Sequence, residues 1–283
     1  MFNMKIGFIG IGIMGLPMVR HLKKTGYPIS IYNRTFDKIK HLSEEFEVTN
    51  SLEELVKDKD IVFSIVGYPS EVESVLFESF KYAKKKAIFI DMTTSSPKLA
   101  SRLAREADTL GLTLLDAPVT GGDIGAINGT LSMMVGGDEK AYQSVKPLLE
   151  TMTKKITYMG SAGSGQYAKL ANQICIAGNL MGIAEALSFA NDHHLDLDSM
   201  LQVISAGSAA SWQAINNGPK MIHKDYKPGF YVKHFLKDLS LALEEMVTPL
   251  PLLKQAQQIY TYLSESHLDS GTQAIIEYYL MKQ

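Results

Sequence analysis

The segment that decides the fold lies near the amino terminus, where residues 5–15 read KIGFIGIGIMG. The apolar start of this segment is typical of a buried β-strand, and the residues after it predict a helix. Gly10, Gly12 and Gly15 form a GxGxxG pattern at the turn between the two, the context that gives the pattern its meaning. Gly10 permits a tight turn, Gly12 admits a pyrophosphate close to the backbone, and Gly15 allows close helix packing. The segment therefore predicts a phosphate-binding loop at a helix N-terminus.

Apolar runs and helical segments alternate from this loop to about residue 160. The apolar runs lack strict alternation with polar residues, as a parallel sheet covered on both faces requires. We therefore expect a doubly wound α/β fold of the Rossmann type. The predicted strands are residues 5–9, 29–32, 61–66, 87–90, 112–115, 131–135 and 156–158. The predicted helices are residues 14–25, 36–46, 97–110 and 139–152, with a further helix after Ser70.

The strand signal stops near residue 160. Residues 160–165 read GSAGSG, a small and flexible run that predicts a hinge. Residues 166–192 predict one helix of roughly 40 Å with apolar residues on nearly every face, as expected between domains or subunits. Helical spacing recurs around residues 199–204, 236–246, 252–263 and 272–281. We predict a nucleotide-binding domain at 1–162 and an all-α domain at 163–283, linked by the long interdomain helix.

The composition is that of a globular protein, because 46% of the 283 residues are hydrophobic, 20% are charged and the net charge is -2. This balance and the lack of a long basic block argue against binding to nucleic acid. The single cysteine, Cys175, needs no oxidising compartment, and the amino terminus lacks a signal-peptide pattern, so a cytoplasmic location is expected. Residues 170–190 resemble a membrane span, but Asn172, Asn179 and Glu185 within them favour burial in protein.

The end of the second predicted strand carries Asn33, Arg34 and Thr35. NAD-specific sites usually place an acidic residue there, against the ribose hydroxyls. A carboxylate would repel a 2′-phosphate, whereas Arg34 can pair with one and Asn33 and Thr35 can donate neutral hydrogen bonds. NADP is therefore predicted in preference to NAD. The plainer interpretation of Arg34 is a solvated arginine at a turn.

Four segments make the chain similar to the β-hydroxyacid dehydrogenase family over nearly its whole length. They are residues 7–15 (GFIGIGIMG), 116–122 (DAPVTGG), 160–172 with spaced glycines and a lysine, and 237–239 (KDL), in the family's order. The family includes 3-hydroxyisobutyrate dehydrogenases, tartronate semialdehyde reductases and glyoxylate/succinic semialdehyde reductases. The resemblance implies hydride transfer between a nicotinamide cofactor and a small β-hydroxy acid, or its semialdehyde or keto acid.

Lys169, Asn172 and Gln173 stand at i, i+3 and i+4, so a helix presents them on one face. When hydride reaches a carbonyl carbon, the oxygen gains negative charge, which an ammonium stabilises and protonates. The resemblance assigns this general acid/base role to Lys169, and to Asn172 the orientation of lysine and substrate. The plainer interpretation is an exposed helix lysine, which the apolar neighbours of Lys169 disfavour.

The resemblance also assigns contacts for substrate and cofactor. A hydroxyl and backbone amides after residue 119 would hold the substrate's acid group, and the family more often has serine at Thr120. Asp238 would orient Lys237, which belongs to the second domain. The predicted substrate contacts are Thr120, Gly121, Gly122, Gln173 and Trp212. The predicted cofactor contacts are Gly10, Gly12, Ile13, Met14, Gly15, Asn33, Arg34, Thr35, Val66, Pro69, Thr94 and Lys237. No histidine spacing predicts a metal site.

The leading hypothesis is an NADP(H)-dependent oxidoreductase acting on a small carboxylate substrate, assembled as a homodimer or homotetramer. Gln173 resembles the residue of tartronate semialdehyde reductases more than that of hydroxyisobutyrate enzymes, and the substrate itself stays open. An imine reductase-like enzyme is a second hypothesis, against which Lys169 counts because such enzymes usually carry another residue there. A catalytically silent nucleotide-binding protein is the third, and such a protein would be expected to have lost the lysine.

Overall fold

A computed structural model describes residues 4–280 of the chain. Two compact units divide it, Met1–Lys169 and Leu170–Gln283. The elements of the first unit are β1 (Ile6–Ile9), α1 (Gly15–Lys23), β2 (Ile29–Tyr32), β3 (Glu47–Val48), α2 (Leu52–Val56), β4 (Ile61–Ser64), α3 (Pro69–Tyr82), β5 (Ile88–Asp91), α4 (Pro97–Thr109), β6 (Thr113–Asp116), β7 (Val119–Thr120), α5 (Gly122–Asn128), β8 (Leu131–Gly136), α6 (Glu139–Leu149) and β9 (Thr153–Gly160).

One sheet runs through the first unit, in the order β3-β2-β1-β4-β5-β6-β8-β7, and β9 also pairs with β8. The strands from β3 to β6 are all parallel, as expected from their apolar, non-alternating sequences. β8 pairs antiparallel with β6 and β7, and parallel with β9. The chain order reverses between β1 and β4, and ligands of such sheets bind beyond the carboxyl ends of the strands at this point.

The sheet is covered by apolar side chains on both faces. Alternate residues of one strand enter different clusters, so that Phe8 of β1 packs with Met18 and Leu22 of α1, whereas Ile9 packs with Leu76 of α3 and its neighbours. All four residues of β1 are buried. This two-sided burial holds the loops that follow the strands on a rigid base.

One helix predicted for this unit differs from the structure. The helix predicted at residues 36–46 is two short 3-10 turns, Phe36–Lys38 and Lys40–Leu42, separated by Ile39 at a non-helical φ of -120°. Its apolar spacing came from Ile39, Leu42 and Phe46, which pack into the core while the chain returns to the sheet to form β3. The sequence did not predict the short elements β3, α2, β7 and α5 either, because too few residues carry their pattern.

The glycines after β9, where the sequence predicts a hinge, lie close to neighbouring backbone. A Cβ added to Gly165 would lie 2.5 Å from the carbonyl oxygen of Asp116 and 2.6 Å from that of Met134. At Gly163, where φ is +93°, a Cβ would lie 2.8 Å from the carbonyl oxygen of Pro97. These glycines therefore allow backbones to pack closely, and the helix already begins at Ser164.

The remaining elements are α-helices around a second core, with a 3-10 turn at Thr272–Ala274 before the last helix. They are α7 (Ser164–Asp192), which begins in the first unit, α8 (Leu197–Ala206), α9 (Trp212–Asn216), α10 (Gly218–Ile222), α11 (Val232–Glu244), α12 (Pro251–His267) and α13 (Ile275–Leu280). By length and composition α7 could cross a membrane. Its residues Leu180, Ala184 and Leu187 lie in the helical core with Phe235 and Tyr260, which supports the interpretation of a helix buried in protein.

Candidate active site

The glycine loop joins β1 to α1 at the carboxyl edge of the sheet. At Gly10, φ is +95° and an added Cβ would lie 2.0 Å from the carbonyl oxygen of Ile65, so only glycine fits this turn. A Cβ on Gly15 would lie 1.9 Å from the oxygen of Gly10. At Gly12, by contrast, an added Cβ meets no heavy atom of the described chain within 4 Å. The loop is therefore tight at its two ends and open in the middle.

The N-terminus of α1 is left open toward this space. Met14 is the N-cap residue and makes no side-chain hydrogen bond to the first turn, in which the Leu16 N–H donates to the carbonyl oxygen of Gly12 at 3.0 Å. Ile13 beside it is 63% exposed. An uncapped helix start next to the open backbone at Gly12 fits the pyrophosphate of a dinucleotide.

Asn33 ties the end of β2 to the glycine loop. Its Oδ1 accepts a hydrogen bond from the backbone N–H of Ile11 at 3.2 Å, and its Nδ2 donates to the carbonyl oxygen of Thr35 at 3.1 Å. Asn33 thus shapes the loop itself, which the sequence did not reveal. Thr35 is exposed at the start of a 3-10 turn.

Arg34 is exposed and forms an ion pair with Glu71 on α3. Its Nη1 lies 2.6 Å from Oε1 of Glu71, and the arginine side chain is 83% exposed. The other oxygen of Glu71 accepts from the amides of Gly67 at 2.8 Å and Tyr68 at 3.2 Å. Burial would raise the pKa of Glu71, but the Gly67 amide and the guanidinium outweigh it, so this pKa lies below its usual value.

Glu71 was missed by the sequence reasoning. The available signal was Pro69 at the first turn of α3 with Glu71 two residues later, an arrangement typical of a helix start with a capping glutamate. The predicted cofactor contacts Val66, Pro69 and Thr94 are all half-buried around the loops that follow β4 and β5.

A buried polar network joins the carboxyl ends of β4 and β5. Asp91 accepts hydrogen bonds from the hydroxyls of Ser64 and Thr93, each at 2.8 Å, and the Thr93 hydroxyl accepts from the backbone N–H of Val66 at 2.9 Å. Burial raises the pKa of Asp91 to about 6, against the lowering effect of these hydrogen bonds. The network fixes the segment on which Val66 and Thr94 stand.

The start of α7 is bonded to the same edge of the sheet. Asp116, at the end of β6, accepts from the backbone N–H of Gly163 at 2.7 Å and of Gln166 at 2.9 Å. Burial raises the pKa of Asp116 to about 6, although these amides lower it. Gln166 is fully buried, and Lys169, one turn further along α7, is 5% exposed. Neither Asp116 nor Gln166 was predicted, because both act largely on backbone groups.

Thr120 to Gly122 form the turn from β7 to α5. Gly121 and Gly122 have φ angles of +129° and +65°, conformations that favour glycine. Thr120 is half-buried. The neighbouring carboxylate of Asp123 accepts a hydrogen bond from the backbone N–H of Ile124 at 2.9 Å, so it is bonded locally.

In the second unit, a chain of polar side chains links α7 to α11. Asn172 Nδ2 donates to Gln173 Oε1 at 3.2 Å, and Gln173 Nε2 donates to Asp238 Oδ2 at 2.6 Å. Lys237 Nζ lies 3.2 Å from Asp238 Oδ1. Gln173 and Asp238 are each 1% exposed, so the predicted substrate contact Gln173 has both ends of its amide bonded inside this unit. Trp212 is 59% exposed at the first residue of α9.

The described residues contain no group of three or more His, Cys, Asp and Glu side chains placed to hold a metal ion. What the first unit does provide is a glycine loop after β1 that is open at Gly12, and a buried lysine, Lys169, on a helix whose start is bonded to the ends of β5 and β6. The open glycine loop can accommodate the pyrophosphate of a dinucleotide.

Two sequence families together cover nearly the whole chain. The model of the NAD binding domain of 6-phosphogluconate dehydrogenase matches residues 5–160. The model described as NAD-binding of NADP-dependent 3-hydroxyisobutyrate dehydrogenase matches residues 163–279. The boundary between them falls among the glycines that precede α7.

Individual proteins agree with these matches. The uncharacterized oxidoreductase YkwC of Bacillus subtilis is 43% identical, over 95% of this chain and 96% of that protein. The 2-hydroxy-3-oxopropionate reductase of Escherichia coli is 38% identical, over 91% of this chain and 90% of that protein. Among solved structures, the 3-hydroxyisobutyrate dehydrogenase of Mycobacterium tuberculosis with L-serine has a TM-score of 0.91 and 31% identity, covering 98% of this chain and 99% of that one.

The fold, the glycine loop and these matches define an oxidoreductase that uses a nicotinamide cofactor. The predicted Rossmann-type domain followed by a helical region is confirmed. More particularly, the chain belongs to the β-hydroxyacid dehydrogenase family, the group that the four sequence segments indicated.

Proposed function

We propose that the chain is an NADP(H)-dependent oxidoreductase that interconverts a small β-hydroxy acid and its semialdehyde or keto acid, with Lys169 as general acid/base. The observation that carries the proposal is the position of Lys169. Its side chain is 5% exposed, and it lies one turn beyond Gln166, whose amide is hydrogen-bonded to the backbone of Thr93 and Ser95 after β5. Lys169 thus stands one turn along a helix that starts at the sheet edge where dinucleotides bind in this fold.

The glycine loop would hold the cofactor's pyrophosphate, since Gly12 leaves room for it and the first amides of α1 face no capping side chain. Half-buried Val66, Pro69 and Thr94 would line the nicotinamide and its ribose. When bound, the nicotinamide supplies or accepts the hydride. The protein's own contribution is to orient the ring and to handle the proton.

Arg34 supports NADP as the preferred cofactor. The guanidinium stands at the carboxyl end of β2, where an acidic residue would select NAD. Its ion pair with Glu71 restrains the guanidinium, while 83% exposure of the arginine side chain leaves donor atoms accessible to a 2′-phosphate. Asn33 and Thr35 would add neutral hydrogen bonds.

Lys169 would protonate the carbonyl oxygen of the substrate as negative charge develops there, and in the opposite direction would remove the proton from the hydroxyl. Thr120, Gly121 and Gly122 would bind the substrate's carboxylate through the hydroxyl and backbone amides. Binding the acid group at a fixed point orients the neighbouring carbonyl toward the amine.

We further propose that residues 1–162 bind the cofactor and residues 163–283 complete the site and assemble a homodimer or homotetramer in the cytoplasm. Asn172 would orient Lys169 and the substrate, and Lys237 would contact the cofactor, with Asp238 orienting that lysine. The hydrogen bonds from Asn172 through Gln173 to Asp238 support the idea that these side chains act together. Trp212 would cap the substrate pocket.

The substrate class follows from the family and from two names. One relative is called 2-hydroxy-3-oxopropionate reductase, and one structural neighbour was solved as 3-hydroxyisobutyrate dehydrogenase with L-serine. We propose 2-hydroxy-3-oxopropionate and related small semialdehydes as the first compounds to test, because Gln173 resembles the residue of tartronate semialdehyde reductases. These compounds are screened with NADPH and with NADH, and the fall in absorbance of the reduced nicotinamide identifies the substrate.

The Lys169→Ala variant tests the proposal directly. We expect kcat to fall by at least ~10²-fold, as for loss of a general acid, while the Kd for NADPH measured by fluorescence stays near that of the wild type. Lys146→Ala, which removes an exposed lysine on α6, is the matched control and should leave kcat unchanged. Near-normal turnover in Lys169→Ala would contradict the proposal.

A further inference from the structure

The first turn of α7 is bonded to the sheet by two side chains that the proposed chemistry does not use. Asp116, 2% exposed, receives the amides of Gly163 and Gln166, one on each carboxylate oxygen. Gln166 accepts from the Ser95 N–H through Oε1 and donates to the Thr93 carbonyl through Nε2, both at 2.8 Å. The helix start is therefore attached to the carboxyl ends of β5 and β6.

Close backbone packing adds to these bonds. Gly165 lies so close to the end of β6 that a Cβ would fall 2.5 Å from the Asp116 carbonyl oxygen. On β8, a Cβ at Gly136 would fall 2.6 Å from Oδ1 of Asp116 and 2.7 Å from the N–H of Gly165. The carboxylate therefore fills a space in which it has little freedom to change its orientation.

Within the first unit, Asp116 connects the segment that carries the proposed carboxylate-binding residue Thr120 to the helix that carries the proposed general acid/base Lys169. Thr120 follows it along the chain by one short segment, and Lys169 follows the bonded residue Gln166 by three positions on α7. Residues three apart on a helix share a face, so the Gln166 contacts set the direction of the face that carries Lys169. Proton transfer is sensitive to displacements of about 1 Å, so anchoring of this turn affects rate.

We propose that Asp116 and Gln166 are positioning residues that hold the Lys169 amine at a fixed distance from the Thr120 loop by anchoring the first turn of α7. This inference rests on the proposed role of Lys169. It assigns to the buried carboxylate a function in turnover beyond that of a helix cap, and to Gln166 the role of setting the rotation of the helix.

The ionised form of Asp116 is the form that accepts both amides. Its pKa, raised to about 6 by burial, implies that one acceptor is lost as the pH falls through about 6. The titratable group beside it is Asp91, its register partner on β5, whose pKa is also raised to about 6. The residues that meet Asp116 from β8 and from the start of α7, Gly136, Gly163 and Gln166, carry no charge. Lys169 is the nearest charged residue along α7.

Asp116→Asn is the first test. The Asn amide can accept from one backbone N–H, but its NH₂ group would face the other, so the helix turn loosens. We expect kcat to fall ~10-fold or more, while the Kd for NADPH changes less than about threefold. Asp138→Asn, which alters the exposed cap of α6, is the matched control and should keep wild-type kcat. A folded Asp116→Asn enzyme with wild-type kcat at every pH would overturn the proposal.

Gln166→Glu keeps the proposal testable even if Asp116→Asn does not fold. An ionised Glu would present a second acceptor to the Thr93 carbonyl, whereas a protonated Glu restores both original hydrogen bonds. We expect kcat of this variant to rise relative to wild type as the pH is lowered, which a general loss of stability would not produce. A pH profile of kcat for Gln166→Glu that parallels the wild-type profile would contradict the proposal.

Lys169→Ala, measured in parallel, distinguishes failure of the anchoring proposal from failure of the proposed function. If it is inactive while Asp116→Asn and Gln166→Glu behave as wild type, the anchoring proposal fails and the role of Lys169 stands. If Lys169→Ala is active, the proposed function itself fails.

Discussion

Two of the buried polar networks among the described residues differ in the groups that form them. At the sheet edge of the first unit, Asp116 and Gln166 bond mainly to backbone amides and carbonyls. In the helical unit, Asn172, Gln173 and Asp238 bond to one another through side chains. The first network fixes where a helix begins, and the second fixes how two helices stay in register. Substitutions should therefore affect the first through backbone position and the second through unsatisfied side chains.

The largest effect is expected where the first network depends on backbone contact. Gly165→Ala places a Cβ 2.5 Å from the Asp116 carbonyl oxygen and 2.6 Å from that of Met134, and neither backbone group can move without shifting a strand. We expect the free energy of unfolding to fall by about 3 kcal/mol or more. Urea denaturation of the wild type and the variant measures this difference in the free energy of unfolding.

Gly182→Ala, on the same helix, is the matched control. At Gly182 an added Cβ meets nothing within 4 Å among the described residues, and the position is exposed. Alanine there should stabilise the helix by about 0.5–1 kcal/mol. Equal destabilisation by both substitutions would mean that α7 tolerates alanine poorly everywhere, and the close approach at Gly165 would lose its special role.

This contrast also explains which parts of the molecule the sequence could predict. Periodicity and residue spacing predict the alternating strands and helices and the glycine loop. The comparisons confirm the resulting fold class. Lys169, Asn172 and Gln173 stand out because helical spacing groups them. Asp116 and Gln166 carry no such pattern, because their partners are backbone groups of distant segments.

Contacts with distant backbone also account for what the sequence did not predict at residues 160–165 and 36–46. At residues 160–165 the small residues predict a hinge, and the sequence does not reveal that Gly163 and Gly165 also allow distant backbones to pack closely. The predicted helix at 36–46 has helical apolar spacing, but Ile39 adopts a non-helical backbone so that the chain can return to the sheet. Local pattern gives no information about which distant backbone approaches a residue.

The next effect concerns the charge of Asp91, the buried carboxyl group that is the register partner of Asp116 on the neighbouring strand. Burial raises the pKa of Asp91 to about 6, from an ordinary value of 3.8, so the folded protein binds the proton more tightly than the unfolded chain. Between about pH 4 and pH 6 the folded state holds more protons, and stability from this group falls as the pH rises. Asp91→Asn removes the titration and retains an oxygen acceptor for Ser64 and Thr93.

Relative to Asp91→Asn, the wild type should therefore lose about 2–3 kcal/mol of unfolding free energy on going from about pH 4 to about pH 7. Urea denaturation of both proteins across this range gives the difference. A difference that stays constant with pH would show that Asp91 titrates near its ordinary value and that burial does not control it.

The helical network should respond through lost hydrogen bonds. Asp238→Ala leaves the buried amide of Gln173 without its acceptor at 2.6 Å, and we expect a loss of about 1–2 kcal/mol. Gln173→Ala and the double variant complete a double-mutant cycle. A coupling energy above about 0.5 kcal/mol is expected, whereas Asp238→Ala combined with Asp138→Ala, which lies in the other unit, should be additive. Additivity in the Gln173 cycle would argue against a cooperative network.

The smallest effect on stability is expected outside both networks, at the ion pair of Arg34 and Glu71. The guanidinium is 83% exposed, so solvent screens the pair, and Arg34→Ala should change the free energy of unfolding by less than about 1 kcal/mol. Its effect on cofactor choice should nevertheless be large. We expect the KM for NADPH to rise ~10-fold or more and the KM for NADH to change little, because only NADPH carries the 2′-phosphate.

Arg20→Ala removes a comparable exposed arginine, which pairs with Glu45 at 3.1 Å, and should alter neither KM. The two arginines thus separate the contribution of a surface ion pair to folding from its contribution to binding. Equal increases in the KM for NADPH and NADH in Arg34→Ala would remove the argument for NADP. In that case the open space at Gly12 would still favour a dinucleotide, but the end of β2 would no longer distinguish one nicotinamide cofactor from the other.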